Sequence, residues 1–177
     1  MSDEEIRSLV ERLLKSVLQG KRRKVKAPPA KPGMRVERPG PGTPHGIYVY
    51  DRRSNSWVLA TVEGDAWDPE EDGLYMVYFD NTRCPACRLY DKYWFDFAST
   101  RGGEVNLVIV LCAWFAHECR SPAAAASFRK YEVHASPTTL ILCRRNGEDI
   151  YVKKHEGILR LEELIAIYVD ARKACGS

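Results

Sequence analysis

The sequence is poor in side-chain amides, with one glutamine (Gln19) and four asparagines among 177 residues. Asparagine and glutamine are thermolabile, and proteins of hyperthermophiles contain fewer of them and more charged residues. Charged residues make up 29% of this chain. The composition therefore favours a thermophilic source.

The sequence also lacks a long hydrophobic run. Its longest apolar stretch, residues 105–116, is shorter than the ~20 residues that a membrane-spanning helix needs. The N-terminal residues Met-Ser-Asp-Glu-Glu are acidic and contain neither the basic nor the apolar region of a signal peptide. We therefore expect a cytoplasmic protein without a membrane partner.

Several catalytic motifs are missing as well. The sequence contains no Gly-rich phosphate loop and no Ser-His-Asp arrangement. Its four histidines (His45, His117, His134 and His155) are scattered along the chain. No cofactor is expected from these patterns.

The first of three predicted parts, residues 1–20, has the pattern of an amphipathic helix over residues 3–19. Ser2 and Glu5 form a capping-box pattern, and Gly20 is a stop signal. The helix either packs on its own domain or contacts a partner, such as a second copy of the chain. The apolar positions recur at i, i+3, i+4 and i+7, and they are Ile6, Leu9, Val10, Leu13, Leu14, Val17 and Leu18.

The second part, residues 21–46, holds six of the ten prolines and eight basic residues against one acidic residue. Such a composition predicts an extended basic linker. Residues 21–26 form a dense basic cluster that could contact nucleic acid or an acidic partner. No aromatic residue interrupts the cluster, so the stacking mode of single-strand binding is not supported.

The third part, residues 47–177, has the alternation of a globular α/β domain. We expect a mixed central sheet with helices on both faces, because one strand pair connects through a helix and the last pair through an Asn-Gly hairpin. In the first helix of this domain, Leu89, Tyr93 or Trp94, and Phe97 are predicted to face the core. The predicted strands cover residues 47–50, 57–62, 74–80, 105–112, 138–143 and 150–154, and the predicted helices cover residues 84–99, 121–130 and 159–173.

Two cysteines, Cys84 and Cys87, lie between the buried strand 74–80 and the helix that follows it. The N–H groups and the positive dipole end at a helix N-terminus stabilise a thiolate. A thiolate with a second thiol three residues away can attack a disulfide and then be released by its neighbour. The Cys84-Pro85-Ala86-Cys87 motif therefore predicts a redox pair.

A zinc site is the alternative for these cysteines. Cys84, Cys87, Cys112 and Cys119, or His117 in place of one of them, could supply four ligands. However, six residues separate the second pair, whereas two to four are usual in zinc sites. No metal is therefore the preferred expectation.

The remaining four cysteines have weaker signals. Cys112 and Cys119 either form a structural disulfide or remain free thiols. Cys143 lies in a core strand and is expected to act as a small hydrophobic residue. Cys175, near the C-terminus, is expected to be free.

Over residues 70–174 the chain resembles the thioredoxin superfamily. The resemblance rests on Cys84-x-x-Cys87 at the start of a helix, the segment 133–142 with Pro137, the turn at residues 145–148, and Gly157 before the last helix. It implies a thioredoxin-like fold and a protein disulfide oxidoreductase. Protein thiols and disulfides would be its substrates, and a separate reductase would recharge it.

The resemblance also implies roles for the site residues. Cys84 would attack the substrate, and Cys87 would be the buried resolving thiol. The bond between Ser136 and Pro137 would be cis, leaving the Ser136 backbone free to pair with a substrate strand.

Four further positions are expected to tune the site. Arg83 replaces the tryptophan of thioredoxins, Tyr78 replaces their buried aspartate, and Pro85 and Ala86 separate the cysteines. With Arg83 adjacent and Arg88 one turn further, we expect Cys84 to be the more exposed sulfur of the pair and to have a lowered pKa. Because this would stabilise the reduced form, the protein should be less reducing than typical thioredoxins.

The alternative function is an interaction module, tethered to a partner or a nucleic-acid-rich assembly through residues 1–46.

Overall fold

This computed structural model describes residues 2–18, with side chains to residue 15, and residues 30–176. The predicted stop at Gly20, the basic cluster 21–26 and the side chains of Val17 and Leu18 lie outside the described residues. The elements are α1 (Asp3–Leu18), β1 (Arg35–Val36), β2 (Gly46–Asp51), β3 (Ser56–Thr61), β4 (Gly73–Asn81), α2 (Pro85–Arg101), β5 (Asn106–Cys112), α3 (Pro122–Lys130), β6 (Thr138–Arg145), β7 (Glu148–Glu156) and α4 (Leu161–Cys175).

The seven strands form one mixed sheet in the order β1-β3-β2-β5-β4-β6-β7. The central strands β4 and β5 are parallel and are connected by α2, whereas β6 and β7 form an antiparallel hairpin at one edge. The turn of this hairpin contains Asn146 and Gly147, both with positive φ, as the Asn-Gly signal predicts. The predicted mixed α/β architecture is confirmed.

Helices cover both faces of the sheet because the side chains of each strand point alternately to opposite sides. In β4, Met76 and Tyr78 face a core that includes residues of α2 and α4. Val77 and Phe79 face a second core that includes residues of α3. The end of β4 therefore positions the loop before α2 between two packed layers.

Helix α2 begins where the sequence indicates, but its buried face differs from the prediction. The stripe that faces the core contains Cys87, Tyr90, Trp94 and Phe97. Leu89 lies on the other side of the helix and is 65% exposed. The prediction for Leu89 was wrong because buried positions at i, i+3 and i+7 from Cys87 leave residue 89 outside that stripe.

The segment predicted as a linker, residues 21–46, packs on the sheet in its described second half. Arg35 and Val36 pair with β3, so β1 covers what would otherwise be an exposed edge strand. Pro44 is buried, and its carbonyl oxygen accepts a 2.5 Å hydrogen bond from the Tyr48 hydroxyl. Residues 30–46 are therefore part of the folded domain, because these two contacts satisfy backbone groups that a free linker would leave to solvent.

Helix α1 has the predicted capping box. The Ser2 backbone N–H donates to the Glu5 carboxylate at 2.8 Å, and the Glu5 N–H donates back to Ser2 Oγ at 3.4 Å. Its apolar side chains are exposed by 42–58% of their surface, and these are Ile6, Leu9, Val10, Leu13 and Leu14. None of the helices in the described ranges is both long and apolar enough to span a bilayer.

A disulfide joins Cys143 in β6 to Cys175, the last residue of α4. The expectations of a small core residue and a free thiol were both wrong. The two cysteines are 32 residues apart in sequence, and their Cα atoms come within 5.8 Å only because α4 packs across β6.

Candidate active site

Cys84 is the N-cap residue of α2, with extended backbone angles and Pro85 at the start of the helix. Its Sγ accepts a hydrogen bond from the Cys87 backbone N–H at 3.1 Å. That N–H is one of the donors that a helix N-terminus leaves without an intrahelical partner. The donor therefore stabilises negative charge on the Cys84 sulfur.

The two cysteines differ in their accessibility to solvent. It is 4% exposed, and Cys87 is fully buried beneath it. Both cysteines are free thiols. Cys84 is thus the outer sulfur of the pair, as the sequence predicts, although the loop carrying Ser136 packs against it.

The Ser136–Pro137 peptide bond is cis and faces the cysteine pair. The Cys84 thiol is 3.5 Å from the Ser136 carbonyl oxygen, and Ser136 Oγ is 2.9 Å from Cys87 Sγ. On the other side of the bond, the Pro137 carbonyl oxygen accepts a hydrogen bond from the Gly157 N–H at 2.8 Å. The structure therefore brings together Cys84, Cys87, Ser136 and Pro137.

This arrangement combines a cysteine pair at the start of α2 with a cis-proline before β6 in a sheet ordered β5-β4-β6-β7. The fold is thioredoxin-like. No protein-family model matches the chain, and no curated protein matches it significantly.

Solved structures of thioredoxins are similar to this chain. Thioredoxin from Aeropyrum pernix has 17% sequence identity and a TM-score of 0.47, with 71% of this chain and 94% of that one covered. Chloroplastic thioredoxin z has 18% identity and a TM-score of 0.46, with coverage of 58% and 81%. Thioredoxin from Trichomonas vaginalis has 17% identity and a TM-score of 0.42, with coverage of 64% and 96%.

A buried charged cluster lies beside the Cys84–Cys87 pair. Asp80, at the end of β4, is fully buried and forms a 2.5 Å ion pair with Arg88 of α2. Arg88 Nε lies 3.1 Å from Asp91, which accepts a 2.9 Å hydrogen bond from the Tyr78 hydroxyl. The cluster therefore connects β4 with the first turns of α2.

The electrostatics of this cluster bear on Cys87. Burial raises the pKa of Asp80 to about 7, and the negative charge of Asp91 adds to this effect while Arg88 opposes it. Burial, followed by the charge of Asp80, raises the pKa of Cys87 well above its usual value. Asp80 Oδ2 has no hydrogen-bond partner in the described part of the chain. A carboxylate that ionises near neutral pH therefore lies close to the buried thiol.

The two arginines expected to lower the pKa of Cys84 are both engaged with carboxylates. Arg83 forms an ion pair with Glu118, and Arg88 pairs with Asp80 and Asp91. The positive charge around the site is therefore largely compensated.

Cys112 and Cys119 form a disulfide, one of the two states that the sequence left open. This bond uses two ligands of the alternative zinc site. Within residues 2–18 and 30–176, no cluster of three or more potential ligands is placed to hold a metal ion. The disulfide instead closes the loop 113–118 beside the Cys84–Cys87 pair, where Glu118 pairs with Arg83.

Sequence analysis did not assign a role to Asp80 or Asn81. Alternation along β4 places Tyr78 and Asp80 on the same face of the sheet, so a carboxylate is present two positions after the expected one. Asn81 follows in a run that is buried throughout. The sequence did contain a signal for both residues, because polar side chains at the end of an apolar strand are expected to be buried. Buried polar side chains need hydrogen-bond partners, so they often belong to a network.

Proposed function

We propose that the chain is a thiol–disulfide oxidoreductase that acts on protein disulfides through Cys84 and Cys87. The observation that carries the proposal is the position of the Cys84 sulfur. It receives the Cys87 N–H at 3.1 Å and lies 3.5 Å from the backbone oxygen before a cis-proline. A nucleophilic sulfur therefore lies next to the Ser136–Pro137 backbone, which is where we propose that the client strand binds.

The reaction has two exchange steps. The Cys84 thiolate attacks one sulfur of a client disulfide, forming a mixed disulfide and releasing the other client sulfur as a thiolate. The Cys87 thiolate then attacks Cys84, the Cys84–client bond breaks, and its electron pair leaves on the client sulfur. The client gains two electrons, the protein retains a Cys84–Cys87 disulfide, and a dithiol reductase returns it to the reduced form.

Cys87 must lose its proton before the second step, and Asp80 is the candidate acceptor. Its pKa of about 7 allows a substantial ionised fraction at neutral pH, and its Oδ2 is available to accept a proton. The Tyr78 hydroxyl cannot take this role, because burial raises its pKa well above 10.

The proposal is tested by reduction of insulin disulfides with dithiothreitol as electron donor. We expect the wild-type protein to accelerate precipitation of the insulin B chain and Cys84→Ser to abolish the effect. Cys87→Ser should trap a mixed disulfide that is visible on a non-reducing gel. A wild-type rate equal to that of the Cys84→Ser variant would refute the proposal.

We infer that α1 contacts a second copy of the chain. Its exposed face includes Leu9 and Leu13, and acidic residues occupy its first turn whereas Lys15 lies in its last. Antiparallel pairing of two such helices would bury the apolar faces and place acidic ends beside basic ends. Sedimentation of wild type and Leu9→Glu/Leu13→Glu tests this, since only the wild type should dimerise.

The two disulfides constrain the compartment. Disulfides persist in oxidising compartments and in the cytosol of hyperthermophiles. We therefore propose a cytoplasmic location together with a thermophilic source. A melting temperature above about 90 °C for the oxidised protein would support this combination, and a value typical of mesophilic domains would argue against it.

A further inference from the structure

The Asn81 side chain, at the end of β4, forms hydrogen bonds with two separate loops, and the redox reaction described above assigns no role to these contacts. Its side chain is fully buried. Its Oδ1 accepts a 2.7 Å hydrogen bond from the Phe115 N–H, and its Nδ2 donates to Ser136 Oγ at 2.8 Å. Phe115 belongs to the loop that the Cys112–Cys119 disulfide closes.

The position of the Phe115 amide is fixed by its loop. The Ala113 and Trp114 N–H groups both donate to the Glu118 carbonyl oxygen, at 2.9 and 3.1 Å. The Glu118 N–H donates back to Trp114 at 3.3 Å. The short bridge and the disulfide hold the two ends of the loop together.

The direction of the next hydrogen bonds follows from donor and acceptor chemistry. A backbone N–H can only donate, so the Asn81 atom facing Phe115 is the oxygen and the atom facing Ser136 is the NH₂ group. The Ser136 hydroxyl therefore accepts from Asn81, and its own hydrogen is free to point elsewhere. The nearest partner is Cys87 Sγ, at 2.9 Å.

We propose that Asn81 is a positioning residue that orients the Ser136 hydroxyl as a hydrogen-bond donor to the Cys87 thiolate. The proposal rests on the redox function of Cys84 and Cys87. Ser136 thereby stabilises the nucleophile of the resolving step, in which Cys87 attacks Cys84 and the client sulfur leaves as a thiolate. Its hydroxyl keeps its proton throughout, so it acts as a donor and not as a base.

The electrostatics of Cys87 agree with this geometry. Burial and the charge of Asp80 act together to raise the pKa of Cys87, while hydrogen bonds with Ser136 and with the Asn81 backbone act in the opposite direction. Without the donor, the thiolate would be buried beside a carboxylate with less compensation.

The first test measures the thiol itself. In a Cys84→Ser background, Cys87 is the only titrating thiol because the other four cysteines form disulfides. Absorbance at 240 nm against pH, with a Cys84→Ser/Cys87→Ser protein as the blank for tyrosine ionisation, then gives the Cys87 pKa. Ser136→Val should raise it by about one pH unit, the size expected for a hydrogen bond to a charged group, and Ser136→Thr should restore it.

Comparing Ser136→Thr with Ser136→Val separates the effect of the hydroxyl group from the effect of side-chain packing, because threonine and valine have nearly the same shape. Equal pKa values for Ser136→Thr and Ser136→Val would overturn the proposal. Asn81→Ala should shift the Cys87 pKa in the same direction as Ser136→Val, and the double variant should add little to either. A loss of stability in Asn81→Ala without a change in the Cys87 pKa would also overturn it.

The second test follows the resolving step with Cys84 present. Attack of Cys84 on 5,5′-dithiobis(2-nitrobenzoic acid) forms a mixed disulfide and releases one equivalent of the coloured thiolate. Attack of Cys87 on Cys84 then releases the second equivalent, and the rate of this second release is measured. Release should be about tenfold slower in Ser136→Val than in Ser136→Thr at pH 7. If insulin reduction is absent but this difference is found, the protein-reductase function fails and the role of Ser136 as a donor to Cys87 stands.

Discussion

Asp80 and Arg88 form a 2.5 Å ion pair next to the Cys84–Cys87 pair, and the Asp80 side chain is completely buried. Burial raises the pKa of this aspartate to about 7 despite the positive partner. The pair therefore changes its charge in the pH range in which the redox reaction would operate.

The first prediction concerns the pH dependence of catalysis. If Asp80 accepts the proton of Cys87, insulin reduction should increase as the pH rises through about 7. Asp80→Asn should remove this inflection and lower the rate at pH 8 by roughly tenfold or more, within the range of general-base effects. The rate is measured from pH 5.5 to 9, and an unchanged inflection in Asp80→Asn would assign it to another group.

The second prediction concerns stability and pH. An unfolded aspartate titrates near 3.9, whereas Asp80 titrates at about 7 in the folded protein. The folded state therefore binds more protons between these values, so Asp80 makes the free energy of unfolding decrease as the pH rises from about 4 to 7. Urea unfolding at pH 5 and pH 8 should show a smaller decrease for Asp80→Asn than for wild type.

The third prediction concerns Arg88. Arg88→Met leaves a buried carboxylate without its partner, and we expect a loss of about 2 kcal/mol in stability at pH 8. The loss should be smaller at pH 5, where Asp80 is protonated. Arg101→Met is the matched control on α2, because it breaks only an exposed pair with Glu104 and should cause a much smaller loss. Equal losses for the two variants would contradict a special role of the buried pair.

The fourth prediction separates the two disulfides. Replacing Cys143 and Cys175 with serine should lower stability by about 2–4 kcal/mol and leave insulin reduction unchanged, because this bond lies between β6 and the end of α4. Replacing Cys112 and Cys119 should also slow reduction, since the loop they close contacts Asn81 and Arg83. Thermal unfolding and insulin reduction of the two double variants provide the comparison, and equal activity losses would contradict it.

The fifth prediction concerns the reduction potential. The expectation of a less reducing protein rests on Arg83 and Arg88 as free cations, and both are paired. Glu118→Gln should free Arg83 and raise the potential of the Cys84–Cys87 couple by roughly 10–20 mV, the range allowed by an exposed pair. Titration against glutathione measures it, with thioredoxin at about −270 mV as reference. A lower potential in Glu118→Gln would contradict the effect.

Much of the fold could be predicted because its signals are local. The helix predicted over residues 121–130 corresponds to α3, for which Ser121 is the N-cap and Pro122 the first residue, and the Asn146-Gly147 pair correctly predicted the β6–β7 turn. The folded second half of residues 21–46 was missed because proline-rich composition predicts a linker. Whether such a segment pairs with an edge strand depends on β3, which is more than twenty residues away from Arg35.

In the candidate site, too, local features could be predicted from the sequence, whereas contacts between distant segments could not. The sequence around Cys84 and Cys87 was enough to predict that they lie at the start of a helix. A turn from a strand into a helix is determined by residues that are neighbours in the chain. Asn81, Phe115 and Ser136 come from three separate segments, and nothing in their sequence neighbourhoods indicates that they share hydrogen bonds.

The sequence by itself determined the chemistry that is available: a dithiol at a helix N-terminus, a proline before a central strand, and an alternation of elements that builds a mixed sheet. Only the tertiary structure decided the surroundings of these thiols. In the folded protein, Arg83 and Arg88 form ion pairs with carboxylates, Asp80 is buried beside Cys87, and Cys143 forms a disulfide with Cys175. The physical reason is that charge compensation, desolvation and disulfide pairing depend on distances between residues far apart in the chain.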